Sequence, residues 1–212
     1  MSEFYGEPIN TTTETKMLPN VTFKTRVRTD EDTENPFTWK DMTTSDYFAG
    51  KKCVLFALPG AFTPTCSASH LPGYEEMYDK FKDLGIDEVY CLSVNDAFVM
   101  RKWGLDLGLE EDTTPGTLGF KNVKLIPDGA CQFTRGMGMS CTWNSERGFG
   151  ERSWRYSCYV DNMEIKKMFV EQPFVQNSEA DPYEVSDPKT MYEFLKYELT
   201  KQPTLVELVY NN

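Results

Sequence analysis

Residues 53–66 constrain the fold more than any other part of the chain. Residues 53–58 (Cys-Val-Leu-Phe-Ala-Leu) form a continuous apolar run, typical of a strand that is buried on both faces. The turn Pro-Gly-Ala-Phe-Thr-Pro-Thr-Cys follows and ends at Cys66. Residues 67–82 are predicted to be helical, with Gly85 as the stop signal. This order places a cysteine between the end of a buried strand and the start of a helix.

The remaining pattern predicts an α/β fold with a mixed central sheet flanked by helices. A second apolar strand is followed by a capped helix, which implies a parallel crossover connection. A hairpin and a closing helix come late in the chain. The predicted elements after Cys66 are a strand at 89–94, a helix to about 107, a strand at 122–126, a hairpin of 153–160 and 164–170, and a helix at 190–199.

The 212 residues fit one domain with a sizeable core. We expect a loose N-terminal arm at residues 1–20, because this segment is polar and shows no periodicity. The domain is predicted to span residues 21–200, with an acidic, glycine-rich insertion at about 104–120. Residues 201–212 are predicted to form a C-terminal tail.

Composition excludes several classes of function. The formal net charge of −11 argues against nucleic-acid binding, which needs clustered Lys and Arg. No apolar run approaches the roughly 20 residues of a membrane span, and the first residues do not resemble an export signal. The six cysteines are therefore expected to be reduced thiols in the cytoplasm. A single histidine and the lack of a Cys-x-x-Cys pair argue against a metal site and against a disulfide reductase.

Cys66 is placed to act as a nucleophile. Unpaired backbone N–H groups and the positive end of a helix dipole favour a thiolate at this position. The hydroxyl of Thr63 can reach both the sulfur and a small ligand bound beside it. The N–H groups of Thr65 and Cys66 could donate to the oxygens of such a ligand, while Pro59 and Pro64 stiffen the turn and carry no N–H donor.

A cation for this site could come from residues 153–158. Strand alternation would place Arg155 on one face with Ser153 and Ser157, a small polar setting that suits a guanidinium holding a thiolate and its ligand. A surface salt bridge is the alternative reading of Arg155. Arg152, on the opposite face, is the less favoured substitute.

The spacing of Pro59, Thr63 and Cys66 closely resembles the active-site signature of peroxiredoxins. The wider run Pro-Gly-Ala-Phe-Thr-Pro-Thr-Cys-Ser resembles the type-5 subfamily of these enzymes. Further runs that resemble type-5 members are His-Leu-Pro at 70–72, Ser-Val-Asn-Asp at 93–96, Ile-Pro-Asp-Gly at 126–129, Gly-Met-Gly-Met at 136–139 and Gly-Glu-Arg-Ser-Trp-Arg-Tyr-Ser at 150–157.

The resemblance covers residues 21–199 and implies a thioredoxin-like fold with thiol-dependent peroxidase activity. It implies that Cys66 is the peroxidatic nucleophile and that Thr63 and Arg155 activate it and hold the peroxide. Pro59 is then expected to shape the pocket. Hydrogen peroxide and small organic hydroperoxides are the implied substrates, with no bound cofactor. A homodimer is also implied, with the Phe62 loop and residues 136–139 near the contact.

His70 follows Cys66 by four residues and is expected on the same helical face. A Cys–His dyad is conceivable, in which the imidazole acts as a base. We favour a histidine that packs the helix or contacts a second subunit, because the helix dipole and Arg155 already account for a thiolate.

The oxidised sulfur must be restored by a second thiol. Some type-5 members carry a resolving cysteine just before the final helix, but residues 171–189 contain none. Cys131 and Cys141 are the only plausible internal candidates, since the other three cysteines lie on apolar strands and are expected to be inert: Cys53, Cys91 and Cys158.

We therefore expect a one-cysteine cycle with an external thiol, glutathione with or without glutaredoxin, or else thioredoxin. The resemblance is to bacterial members that often carry a fused glutaredoxin domain. This chain ends at Asn212 without one, so glutaredoxin is expected to act in trans. The alternative function is a peroxide sensor that passes oxidation to a partner without sustained turnover.

Overall fold

A computed structural model describes residues 16–31 and 33–200. The predicted tail at 201–212 and most of the predicted arm lie outside these residues. The strands are β1 Thr22–Arg28, β2 Phe37–Thr43, β3 Lys52–Leu58, β4 Glu88–Ser93, β5 Lys124–Pro127, β6 Ser140–Trp143, β7 Gly150–Ser153, β8 Tyr156–Asp161 and β9 Glu164–Val170. The α-helices are α1 Thr44–Phe48, α2 Leu71–Glu76, α3 Tyr78–Asp83, α4 Ala97–Asp106, α5 Gln132–Gly136 and α6 Pro188–Thr200.

The central sheet has five strands in the order β5-β4-β3-β8-β9. β3 runs parallel to β4 and antiparallel to β8, and β8 and β9 form the predicted hairpin. β1 pairs with β2, and β6 with β7, in two separate ribbons. The predicted mixed sheet with flanking helices is confirmed.

β3 is the centre of the core because both of its faces are covered. Val54, Phe56 and Leu58 pack on one side with Cys66 and the helices that follow it. Cys53, Leu55 and Ala57 pack on the other side with α1 and α5. This two-sided burial is the physical reason for the unbroken apolar run in the sequence.

The helix after β3 differs from the continuous helix predicted at residues 67–82. It begins with a π-helical turn at Cys66–His70, in which the N–H of Leu71 donates to the carbonyl of Cys66, five residues earlier. It is then interrupted at Met77, between α2 and α3. The predicted end is confirmed, since α3 ends at Asp83 and Gly85, just beyond its C-cap residue Leu84, has a left-handed φ of +82°.

The predicted strand at 153–160 is wrong in one respect that matters for the site. β7 ends at Ser153 and β8 begins at Tyr156, in different sheets, so Trp154 and Arg155 form a break between them. The Trp154 N–H donates to the carbonyl of Met139, and the indole N–H donates to the carbonyl of Glu171. Arg155 is therefore not on an alternating strand face.

Two predicted surface segments are attached to the domain. In the insertion at 104–120, Glu111 forms a bridge with Phe120 and an ion pair with Arg101, while the N–H of Arg28 donates to the carbonyl of Thr117. In the described end of the predicted arm, the Leu18 N–H donates to the carbonyl of Met163, and Leu18 is buried. None of the described helices is long and apolar enough to cross a membrane.

Candidate active site

The turn before Cys66 is held by short-range hydrogen bonds. The Thr63 hydroxyl donates to the carbonyl of Gly60 (2.8 Å), and the Ser67 N–H donates to the carbonyl of Thr63 (3.0 Å). The Ala61 N–H donates to Oδ1 of Asn95, which anchors the turn to the end of β4 (2.9 Å). Because the Thr63 proton is engaged by Gly60, its oxygen is free to accept a hydrogen bond from a peroxide O–H.

Arg155 lies beside Cys66, although the two are 89 positions apart in sequence. Its Nη1 is 3.6 Å from the Cys66 sulfur, and both side chains are fully buried. Its Nη2 forms an ion pair with Asp181. Burial alone lowers the pKa of Arg155, but the charges of Cys66 and Asp181 outweigh it and raise the pKa above its usual value. The guanidinium is therefore a permanent cation at the sulfur.

The Nε–H of Arg155 is buried and has no hydrogen-bond partner among the described residues. An unpaired buried donor costs about 1–3 kcal/mol unless something occupies it. This donor is a candidate for holding a peroxide oxygen, since it belongs to the side chain that contacts the sulfur.

His70 lies inside the protomer and contacts Arg155. Its Nδ1 accepts from Nη1 of Arg155 (3.1 Å), and its Nε2–H donates to the carbonyl of Ser186 (3.2 Å). Burial, and then the charge of Arg155, hold the pKa of His70 well below its usual range. The packing role is the one that fits this geometry; contact with a second subunit does not, because the ring is fully buried.

The buried carboxylate of Glu171 stabilises the segment that contacts His70. Oε1 of Glu171 accepts from the N–H groups of residues 184–186 and from the Ser186 hydroxyl, at 2.7–2.9 Å. The Ser186 carbonyl then accepts from His70 and from the Tyr74 hydroxyl (2.9 Å). Glu171 thus fixes the segment against which His70 and Arg155 are positioned.

The low pKa of His70 predicts a pH-dependent stability. Below pH 6.5 the unfolded chain binds a proton at His70 that the folded protein does not, so stability falls as pH falls. Between pH 7 and pH 5 the loss from this group is expected to reach about 2 kcal/mol, at 1.36 kcal/mol per pH unit. Urea unfolding at both pH values measures it.

His70→Asn supplies the control for this prediction. His70 is the chain's one histidine, so no other imidazole titrates in this range. The variant is expected to lose less stability than the wild type between pH 7 and pH 5. Equal losses in the two proteins would contradict the assignment.

A cleft of about 230 Å³ opens in front of the catalytic turn. This volume lies just below the roughly 300–1,000 Å³ of drug-sized small-molecule sites. Its lining is Pro59, Thr63, Pro64, Thr65, Trp143, Asn144, Arg147, Phe149, Glu179 and Asp181. The cleft thus joins the residues directly before Cys66 to the acidic partner of Arg155.

No cysteine, Cys66 included, is among the residues that line this cleft. Burial, as the largest cause, raises the pKa of Cys131 to about 11 and that of Cys141 to about 12. Both thiols are thus protonated and poorly nucleophilic near neutral pH. Cys91 is fully buried in the same apolar cluster as Cys66, and burial raises its pKa as well.

Comparison with known proteins identifies the family. The redoxin family profile matches residues 14–183. A peroxiredoxin of Synechocystis sp. is 52% identical over 181 residues, which cover 84% of this chain and 89% of that protein. The chain belongs to the peroxiredoxins. The resemblance read from the sequence is confirmed, and thiol-dependent peroxidase activity is what this membership supports.

Two further relatives of this peroxiredoxin are informative. Hybrid peroxiredoxin hyPrx5 of Haemophilus influenzae is 45% identical, and the match covers 86% of this chain but 66% of that protein. The crystal structure of the Plasmodium falciparum antioxidant protein, a 1-Cys peroxiredoxin, superposes with a TM-score of 0.76. It is 36% identical, and the match covers 87% of this chain and 99% of that one.

The structure brings the four predicted site residues of this peroxiredoxin into one region. Arg155 contacts Cys66, while Pro59 and Thr63 line the cleft beside it. Arg152, the less favoured cation, donates instead through Nε to the carbonyl of Phe149 (2.9 Å). Sequence reasoning missed the supporting residues Asp181, Glu171 and Ser186. Their signal is weak, since they lie in an irregular acidic segment without helical or strand periodicity.

Proposed function

We propose that this peroxiredoxin reduces hydrogen peroxide and small organic hydroperoxides in a one-cysteine cycle that glutathione restores, with or without glutaredoxin. The observation that carries the proposal is the buried contact between Nη1 of Arg155 and the Cys66 sulfur, at 3.6 Å. A fixed cation in a buried site stabilises a thiolate and the charge that develops as the O–O bond breaks.

The chemical step follows from these contacts. The Cys66 thiolate attacks one peroxide oxygen, the O–O bond breaks, and its electron pair leaves with the second oxygen. That oxygen takes a proton and departs as water or an alcohol, which leaves a sulfenic acid on Cys66. Thr63 accepts from the peroxide O–H, and the N–H groups of Arg155 hold the oxygens in line.

The cysteine positions support an external thiol. Cys131 and Cys141 are buried, and burial raises the pKa of both thiols, so neither is a ready nucleophile for the sulfenic acid. A glutathione thiol would condense with the sulfenic acid, release water and leave a mixed disulfide. A second thiol, from glutathione or glutaredoxin, would then free Cys66. A cytoplasmic location is part of this proposal, because reduced thiols are maintained there.

Steady-state peroxide consumption tests the proposal. We expect sustained turnover with glutathione and glutaredoxin, and little with thioredoxin and thioredoxin reductase. A peroxide sensor would instead consume one equivalent and stop under both conditions. Mass spectrometry of the oxidised protein adds a separate test, since a disulfide from Cys66 to Cys131 or Cys141 would contradict the one-cysteine cycle.

We also propose a homodimer that forms through the Phe62 loop. Phe62 is 51% exposed and has a left-handed φ of 63°, an uncommon conformation for a bulky residue. An exposed aromatic side chain on a strained backbone is expected where a second subunit covers the side chain.

Phe62→Asp is expected to shift the protein to a monomer, because a carboxylate would have to be buried at the contact. Sedimentation velocity measures the change. Trp39, which is 56% exposed on β2, provides the matched control as Trp39→Asp. A dimer that survives Phe62→Asp but not Trp39→Asp would place the contact elsewhere.

A further inference from the structure

Oppositely charged side chains line the cleft in front of Cys66. Arg147 ends the 3₁₀ turn Ser145–Arg147, between β6 and β7, and Glu179 lies in the segment between β9 and α6. The rings of Trp143 and Phe149 complete the wall on the arginine side. Asp181 also lines the cleft, but its charge is engaged by Arg155.

The charges of Arg147 and Glu179 are not neutralised by any residue that the structure describes. Neither side chain has an ion-pair partner within residues 16–31 and 33–200, and they do not pair with each other. The backbone N–H of Arg147 is held by Oδ1 of Asn144 (3.2 Å), which fixes the turn while the guanidinium stays exposed. The cleft therefore offers one positive and one negative group to a ligand.

The ligand must also carry a thiol, and this step rests on the proposed function. Cys66 is fully buried and does not itself line the cleft, but its turn does, through Pro59, Thr63 and Thr65. A reducing thiol that approaches the sulfur through this cleft therefore passes Arg147 and Glu179. Glutathione combines a thiol with an ammonium group and two carboxylates. We propose that Arg147 and Glu179 form a docking site for glutathione, in which Arg147 binds a carboxylate and Glu179 binds the ammonium group.

The reaction at this site is balanced without a further reagent. The glutathione sulfur forms a bond to the Cys66 sulfur as the S–O bond of the sulfenic acid breaks. The hydroxide that leaves takes the thiol proton and departs as water. The product is a mixed disulfide, which a second thiol reduces as described above.

Binding can be measured without any peroxide chemistry. In Cys66→Ser protein, reduced glutathione is expected to shift the indole N–H resonance of Trp143 in a saturable way. Adding Arg147→Gln or Glu179→Gln is expected to weaken the apparent Kd by about fivefold, which corresponds to an exposed ion pair of about 1 kcal/mol. High salt should weaken binding similarly, because exposed charges are screened. Lys80→Gln, which removes an exposed charge on α3, is the matched control and should leave Kd unchanged.

Kinetics give the second readout. In the protein with Cys66 intact, stopped-flow reduction of the sulfenic acid is compared for glutathione and for uncharged 2-mercaptoethanol. Arg147→Gln should lower the ratio of the two rate constants by about fivefold. A fall that is equal for both thiols would indicate a merely structural effect and would overturn the docking site.

The failure of this inference is distinguishable from failure of the proposed function. Absence of saturable glutathione binding, or a Kd that neither variant changes, overturns the docking site, even if peroxide still oxidises Cys66. Reduction by thioredoxin but not by glutathione would also overturn the docking site, and it would indicate a protein reductant. Peroxide oxidation of Cys66, measured separately in the wild type, decides the peroxidase proposal.

Discussion

Cys66→Ser is expected to abolish peroxide consumption, with a loss of about 10⁴-fold or more in rate, as for removal of other catalytic nucleophiles. A serine hydroxyl in the same position is not ionised near neutral pH, so Arg155 would have no anion to stabilise. The measurement is hydrogen peroxide loss in the steady state, with glutathione and glutaredoxin in excess.

Cys91→Ala is the matched control, because Cys91 is also fully buried and belongs to the same apolar cluster as Cys66. This variant is expected to lose stability through a small cavity but to keep its turnover. Unchanged peroxide consumption in Cys66→Ser would remove the basis for assigning this cysteine as the nucleophile.

Arg155→Lys is expected to slow the oxidation of Cys66 by about 10²- to 10³-fold, the effect of losing one well-placed donor to a developing charge. The substitution keeps a positive charge, but a single ammonium cannot contact Cys66, His70 and Asp181 in the fixed geometry of the guanidinium. Stopped-flow measurement of the second-order rate constant with hydrogen peroxide tests this.

Arg152→Lys is the matched control, because it makes the same arginine-to-lysine change at a side chain that does not contact Cys66. Arg152 is close in sequence to Arg155, and its Nε donates to a backbone carbonyl rather than to Cys66. The second-order rate constant of the Arg152→Lys variant with hydrogen peroxide should stay near that of the wild type. If the two variants were slowed equally, the cation at the sulfur would need to be reassigned.

The part of the site that the sequence predicts well is local. Pro59, Thr63 and Cys66 lie within one turn, so their spacing along the chain largely determines their spacing in space. β3 was also predictable, because a strand buried on both faces needs an unbroken apolar run. Polar β2 and short α5 carry no such periodicity, and both were missed.

The rest of the site depends on contacts between distant residues. Strand alternation does not extend to Arg155, because the chain breaks at 154–155 and no residue pattern marks that break. The sequence predicts a packing or subunit-contact role for His70, but not its contacts with Arg155 and Ser186, which span 85 and 116 positions. Side-chain networks of this kind are set by how the elements pack, which a single sequence does not specify.

The π-helical turn at Cys66–His70 has a consequence for engineering thermostability. Deleting one residue between these two would favour regular α-helical hydrogen bonding and could raise the melting temperature. The same deletion would rotate Cys66 by about 100° relative to His70, since each helical residue turns the chain by that angle. The sulfur would then leave Arg155, so this turn is a place where added stability would come at the expense of activity.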